Sequence, residues 1–402
     1  MSPENKITNE NLVFEPHNNL YLAKYACFSS RSRGRLYDEA ITAGRSEFQR
    51  DRDRILHSTA FRRLEYKTQV FLYNEGDHYR TRLTHSLEVS QLARSMARIL
   101  LIDEDLCESV AIAHDMGHSP FGHAGEYALQ ECMENFGGFD HNAQTIRILT
   151  KLEKKYANFE GLNLSWECLE GAAKHNGPVL GIPRALEEYN KTHDLELHTY
   201  ASLEAQVAAI CDDIAYNSHD IEDGLRAKLF SLDDLMALPI ISDEIKRIKS
   251  TYPNVEDLVL INEVRSTFIK YMINDVVSQT RQNLEKLKVE NVDDVRNAGQ
   301  QTAHFSESFL EKIDDVRDFL FEKMYRHHKV LIMTNKAKRV VIELFNFYLE
   351  HPDCLPPQFL RDVNMKDRSE VAVTIADFIA GMTDRYAFAQ YKKIFDTDIT
   401  NL

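Results

Sequence analysis

Apolar positions along this chain recur at helical rather than strand spacing. Over residues 84–101, Leu87, Leu92, Met96 and Ile99 fall close to a 3.6-residue period, with Thr84 a candidate N-cap. Over 199–223, Leu203, Val207, Ile210 and Ile214 share one face, and Gly224 lies just beyond. The same reading predicts helices over 48–68, 104–115, 140–156, 165–175, 257–290, 308–350 and 366–394, with a connector and a short helix over 232–256. Gly117, Pro120, Gly177-Pro178 and the stretch HPDCLPP at 351–357 are the breakers between them. Residues 69–79, with Val70, Phe71, Tyr73, Asn74 and Gly76, read as a turn or short hairpin. The predicted class is therefore all-α, with additional C-terminal helices and at most a short β-hairpin.

Composition narrows this little. A chain of 402 residues is long for one compact core, and 43% hydrophobic residues argue against whole-chain disorder. No apolar run reaches the ~18 residues a membrane span needs. The opening Met1-Ser-Pro-Glu-Asn-Lys lacks a secretory pattern, so a cytoplasmic location is the default expectation. The six cysteines are scattered without a CxxC pair, which suits reduced thiols rather than a thiolate zinc site. A net charge of −15 excludes a general nucleic-acid binder. Yet residues 31–67 hold ten Lys/Arg against six acids. That is either a local polyanion site or a solvated helical face laced with i,i+4 ion pairs.

Chemistry changes the picture more. Polar residues interrupt apolar helices in RLTHSLEVS (His85), AIAHDMGHSPFGH (His114, Asp115, His118, His123), GFDHNAQT (Asn142) and CDDIAYNSHDIEDG (Asp212, Tyr216, Asp220). A lone helical histidine is ordinarily a surface or hydrogen-bonded core residue. The joint pattern differs, because Val110, Ile112 and Ala113 run directly into His114-Asp115 and Ile210-Cys211 into Asp212. Burying such groups without a partner is costly, and a shared divalent cation would supply one. Imidazole with carboxylate suits Mg²⁺ or Mn²⁺ foremost, with Fe²⁺, Co²⁺ or Zn²⁺ compatible. Asp212, Tyr216 and Asp220 at i, i+4, i+8 fall along one side of a helix, where the other reading is ordinary acidic solvation at a helix end. On the Gly-Pro loop, His118 and His123 suit proton transfer near neutrality, with Glu126 placed to orient His123. Metal-adjacent structural hydrogen bonding is the other reading of the same pair.

His85, His114-Asp115 and Asp212 together match the H…HD…D signature of the HD phosphohydrolase superfamily. DRDRILHSTAFRRLEYKTQVF (51–71), RTRLTHSLEVSQLAR (80–94), HDMGHSPFGHAGE (114–126), CDDIAYNSHDIEDG (211–224) and AGMTDRYA (380–387) resemble more closely the bacterial deoxyguanosine triphosphate triphosphohydrolase family. The resemblance runs from about residue 28 to 390. It implies cleavage of a dNTP, dGTP included, to deoxynucleoside and inorganic triphosphate. It makes His85, His114, Asp115 and Asp212 the metal ligands. His123 with Glu126 becomes the catalytic pair, and His118 a contact to the α-phosphate region. Arg82 would hold phosphate. Gln69, Tyr216 and Asp220 would recognise the deoxyribose, with Tyr216 against C2′. Asn142, Lys174 and His175 would be further pocket residues, and the role of His141 is open. A basic arm at 1–44, an HD-type core at 45–232 and C-terminal helices at 233–402 packed on that core complete the expected organisation. A homo-oligomer is expected, with regulation by dNTP or single-stranded DNA permitted and no membrane partner. The competing functions are another HD-type phosphodiesterase or 5′-nucleotidase, and a nucleotide-sensing scaffold that binds nucleic acid.

Overall fold

The computed structural model describes residues 11–40, 44–69, 80–181, 183–361 and 363–396. It opens on an antiparallel hairpin, β1 (Leu12–Glu15) and β2 (Leu20–Ala23), in register Leu12 to Ala23 and Glu15 to Leu20. This is the only sheet among the described residues. The turn or hairpin expected over 69–79 lies, Gln69 apart, outside them. Strands this short carry too few alternations to register against helical periodicity.

The predicted helix over 48–68 is two helices, α1 (Glu47–Leu56) and α2 (Thr59–Arg63), followed by a 3₁₀ turn to Tyr66. Ser58 makes the break, because its hydroxyl accepts from the Phe61 amide at 3.1 Å and restarts the helix. Next come α3 (Arg82–Leu100), α4 (Glu104–Ala113), α5 (Gly122–Met133), α6 (His141–Arg147), α7 (Trp166–Ala173), α8 (Arg184–Asn190) and α9 (Leu203–Arg226). The N-cap of α3 is Thr81 rather than Thr84, and the two threonines form a reciprocal capping box. The buried face of α3 is Val89, Leu92, Ala93, Met96 and Leu100, whereas Leu87 and Ile99 are 46% and 41% exposed. The seam with α4 and α9 covers only one side of α3, so two of the four periodic residues fall outside it. On α9 the predicted face holds, with Leu203, Val207, Ile210 and Ile214 all buried. Gly224 does not end this helix. A Cβ there would lie 2.3 Å from the Phe230 ring, so close packing rather than termination demands glycine.

The remaining helices are α10 (Leu232–Leu235), α11 (Pro239–Thr251), α12 (Asp257–Lys286), α13 (Val292–Arg296), α14 (Glu307–Leu320), α15 (His328–Glu350), α16 (Pro357–Leu360), α17 (Arg368–Ala380) and α18 (Asp384–Phe395). A π-helical turn, Phe321–Tyr325, divides the predicted 308–350 helix. Gly381 to Thr383, with Thr383 capping α18, divides 366–394. None of the described helices is long and apolar enough to cross a membrane.

Two apolar cores result. The larger joins the N-terminal hairpin to α14 and reaches Val330. The smaller packs Ala128, Leu129 and Met133 of α5 against Val341, Leu344, Ile375 and Ile379 of α15 and α17. Helix α5 thus leaves the larger core for the smaller one, and the loop leading into it lies at the seam between them. Several arginines of the basic segment 31–67 form tertiary ion pairs, and Arg50 makes an i,i+3 pair with Glu47 on α1. Arg35 meets Asp51 at 2.5 Å, Arg52 meets Asp105 at 2.5 Å, Arg54 meets Glu39 at 2.8 Å and Arg33 meets Glu196 at 2.7 Å.

Candidate metal centre and catalytic loop

Three elements converge on one polar cluster. Helix α3 brings His85, the 3₁₀ turn that follows α4 brings His114 and Asp115, and α9 brings Asp212. One donor atom each of His85, His114 and Asp115 lies within 4.8 Å of the other two. Asp212 joins through its Oδ1, 2.7 Å from His85 Nε2 and 3.6 Å from His114 Nε2. A local bond sets the aim of His114. Its Nδ1–H donates to the Ala111 carbonyl at 2.6 Å, which turns Nε2 into the cluster. There Nε2 is buried without a hydrogen-bond partner, as is Asp115 Oδ2. Buried polar atoms seldom go unpaired, so orphaned lone pairs facing one another fit a divalent cation.

The electrostatics agree. Burial disfavours the cationic form of His114, but the Asp115 and Asp212 carboxylates outweigh it and raise its pKa to about 9. Burial would raise Asp212. The charge of His114 and the hydrogen bonds with His175 and His85 instead hold it well below the carboxylate range. The cluster therefore draws positive charge. His175 completes this side, its Nε2 3.4 Å from Asp212 Oδ2 and its ring stacked on that of His114 with centroids 5.1 Å apart.

A second cluster abuts the first. His118 Nε2 lies 3.2 Å from Asp115 Oδ1, and the His118 ring stacks on His141 at 4.0 Å. Glu126 takes His141 Nδ1 at 2.6 Å and His123 Nδ1 at 3.3 Å, and also accepts from the His141 amide at 3.1 Å. Burial works against its ionisation, but the His123 and His141 hydrogen bonds prevail and hold it well below the usual carboxylate range. Glu126 therefore serves two imidazoles, and the closer one is His141. His123 is the exposed member, its side chain 55% accessible.

The remaining predicted residues divide. Arg82 is buried and donates to Asp115 Oδ1 at 2.6 Å, leaving Nε and one terminal nitrogen without partners. Gln69 follows Lys67 and Thr68, with its carbonyl against Gly122 and its buried Oε1 unpartnered. Asn142 is buried beside His141, its Oδ1 also unpartnered. Lys174 is engaged elsewhere, donating to Glu170 at 3.1 Å, Thr199 at 2.8 Å and the Tyr200 carbonyl at 3.3 Å. On α9, Tyr216 and Asp220 lie beyond Asp212 and meet a residue that sequence reading missed. The Tyr325 hydroxyl bonds both the Tyr216 hydroxyl and Asp220 Oδ2, with the two rings 5° from parallel. Burial raises Asp220 to about 7. Tyr325 closes the π-helical turn, about a hundred residues downstream, with no local signal to mark it. His219 was also missed; it lies on the helix of Asp212, 3.4 Å from His85 Nδ1 and 2.7 Å from Glu88.

The HD domain family matches residues 82–217, and the phosphohydrolase-associated domain family matches residues 303–393. A protein of Parvibaculum lavamentivorans is 52% identical over 381 residues, covering 93% of this chain and 96% of its own. One of Bradyrhizobium diazoefficiens is 49% identical, covering 93% and 96%. One of Bartonella henselae is 49% identical, covering 93% and 95%. All three bear the name deoxyguanosinetriphosphate triphosphohydrolase-like protein.

Proposed function

Because the chain belongs to the deoxyguanosinetriphosphate triphosphohydrolase-like family of HD-domain phosphohydrolases, we propose that it hydrolyses dNTPs, dGTP among them, to deoxynucleoside and inorganic triphosphate. One observation carries the reading: a His/Asp cluster fit for a divalent cation shares Asp115 with a cluster of three histidines, His118 and His123 of the loop and His141 of α6, beside the Glu126 carboxylate. In this reading His85, His114, Asp115 and Asp212 hold the cation, with Mg²⁺ or Mn²⁺ foremost. Bound there, it supplies charge neutralisation and orientation at the α-phosphate. Arg82, with two nitrogens free of partners, and His118 face the same phosphate. Water attacks the α-phosphorus and the bond to O5′ breaks. The attacking water gives up a proton and O5′ takes one. His123 Nδ1 is turned to Glu126, which leaves Nε2 for that exchange. Glu126 and His141 fix the ring. Asp220 and Tyr216, braced by Tyr325, contact the sugar, and the Tyr216 ring leaves no room for a 2′-hydroxyl.

Incubation with each dNTP, each NTP and dGMP, in Mg²⁺ or Mn²⁺, followed by chromatography, tests this. Deoxynucleoside and triphosphate are expected, with dGTP cleaved far faster than GTP and Tyr216→Ala narrowing that gap. Pyrophosphate release, turnover of the monophosphate, or equal rates on GTP and dGTP would overturn the proposal. Cytoplasmic location, assembly as a homo-oligomer, control by dNTP or single-stranded DNA, and the division into a core at 45–232 with C-terminal helices at 233–402 belong to the same reading. Sedimentation with and without nucleotide checks the assembly.

A further inference from the structure

The AGMTDRYA stretch lies about 250 residues from the catalytic loop and contributes no group to either polar cluster. Its backbone and its acid nevertheless end on that loop. Asp384 begins α18 and is 3% exposed. One carboxylate oxygen accepts from the Phe121 amide at 2.8 Å and the other from the Thr68 amide at 2.9 Å. Lys67, 2% exposed, spans the same seam in the other direction. Its Nζ donates to the His118 carbonyl at 2.5 Å and to the Ala380 carbonyl at 2.8 Å.

The loop so held is not one that relaxes into place unaided. Phe121 has φ 66°, the left-handed region that a non-glycine residue occupies only when its surroundings enforce it. Its ring packs on Phe388 of α18 with centroids 4.7 Å apart, so both amide and side chain of Phe121 are anchored on that helix. Gly122 follows at φ 59°, where a Cβ would meet Arg82 at 3.1 Å and the Gln69 carbonyl at 3.2 Å. His118 and His123 flank this kink directly, and the Lys67 carbonyl accepts from the Arg82 amide at 3.1 Å. Burial, with Arg63 and Arg82 adding to it, brings Lys67 down to about 7. An amine that has lost a proton still keeps the two N–H bonds used here.

We propose that Lys67 and Asp384 are positioning residues that clamp the His118–His123 loop, together with Thr68 and Gln69, onto the C-terminal helices, so that the HD-type site is complete only when α17 and α18 are docked. The proposal rests on the hydrolytic reading above for its catalytic consequence, but not for its structural one. The test therefore has two readouts on the full, metal-loaded chain: amide hydrogen exchange by peptide, and steady-state kinetics with dGTP. Asp384→Ala removes both acceptors, Asp384→Asn keeps one, and Lys67→Met removes both donors.

Exchange in the peptide 117–125 should quicken on the order of tenfold or more in Asp384→Ala and less in Asp384→Asn, with α3 and α4 peptides unchanged. Displacement of a reacting group by about 1 Å can cost ~100-fold, so kcat should fall roughly 10- to 100-fold, with metal content kept and KM within about threefold. Lys67→Met reaches the loop from the opposite side, so a variant at one position that fails to fold leaves the other decisive. Unchanged exchange at 117–125 overturns the clamp. Faster exchange with wild-type kcat overturns its positioning role. If the wild type hydrolyses no dNTP, the proposed reaction fails, and loop exchange alone then retains or rejects the clamp.

Discussion

At the scale of single residues, Glu126 does more than a helical spacing discloses. Sequence spacing pairs it with His123, one turn away, whereas the fold gives its shorter bond to His141, fifteen positions on. A carboxylate held this far below its usual range stays ionised across the working pH range, so Glu126 itself does not set the acid limb of the pH–rate profile. His123→Ala is expected to lower the single-turnover rate by about 10²–10⁴ with metal and dNTP still bound. Glu126→Gln should be milder and should retain an acid limb, because Glu126 is not the group that titrates there. An acid limb that vanished in Glu126→Gln would reassign the proton to the carboxylate. Asp115→Ala should leave the helices intact and strip the protein of metal, read by elemental analysis. A folded variant with undiminished metal would remove Asp115 from the ligand set. The proposed ligands were legible because burial makes charged residues conspicuous among apolar neighbours. Tyr325 and His141 were not, since their partners are set by tertiary docking rather than by local pattern.

Elements place those residues, and glycines set how closely elements approach. Gly117 ends the turn that carries His114 and Asp115. A Cβ there would lie 2.0 Å from the His141 carbonyl oxygen and 2.4 Å from the Thr145 amide nitrogen. Both are backbone atoms of α6, so neither can swing aside. The contact is knitted further by the Gly117 amide, which donates to Thr145 Oγ1 at 2.9 Å. Gly117→Ala must therefore shift α6, and with it His141 and Asn142. Overpacking of this kind costs about 1–3 kcal/mol or more. The urea midpoint and kcat should fall together, and wild-type values for both would show that α6 does not need this approach. Sequence read Gly117 as a breaker, which it is, but not as a contact. The same gap explains the helix boundaries. Periodicity found α3 and α9, whereas the breaks at Ser58, the π-helical turn and Thr383 depend on capping and packing that a run of apolar residues does not encode.

Across the whole molecule, the N-terminal segment is stitched to the core by buried acids. Asp103 caps α4, accepting from the Leu106 amide at 2.9 Å, and reaches the hairpin turn through Asn18 Nδ2 at 3.2 Å. It is fully buried, and burial, helped by Asp105 and Glu204, raises its pKa to about 7. The unfolded chain releases this proton near pH ~4. Between those values the folded state keeps a proton that the unfolded state has lost, so stability falls as pH rises through the window and is unaffected below it. A protonated Asp103 can also donate to Asn18 Oδ1, which is otherwise buried without a partner. Asn is neutral at every pH, is as good an N-cap, and its amide offers the same donor to Asn18. Asp103→Asn should therefore match the wild type near pH 4. It should gain on it by on the order of 2–4 kcal/mol by pH 7.5, read from urea midpoints at the two pH values. Parallel curves for the two proteins would mean that Asp103 is ionised in the fold, with water or Asn18 paying for its burial.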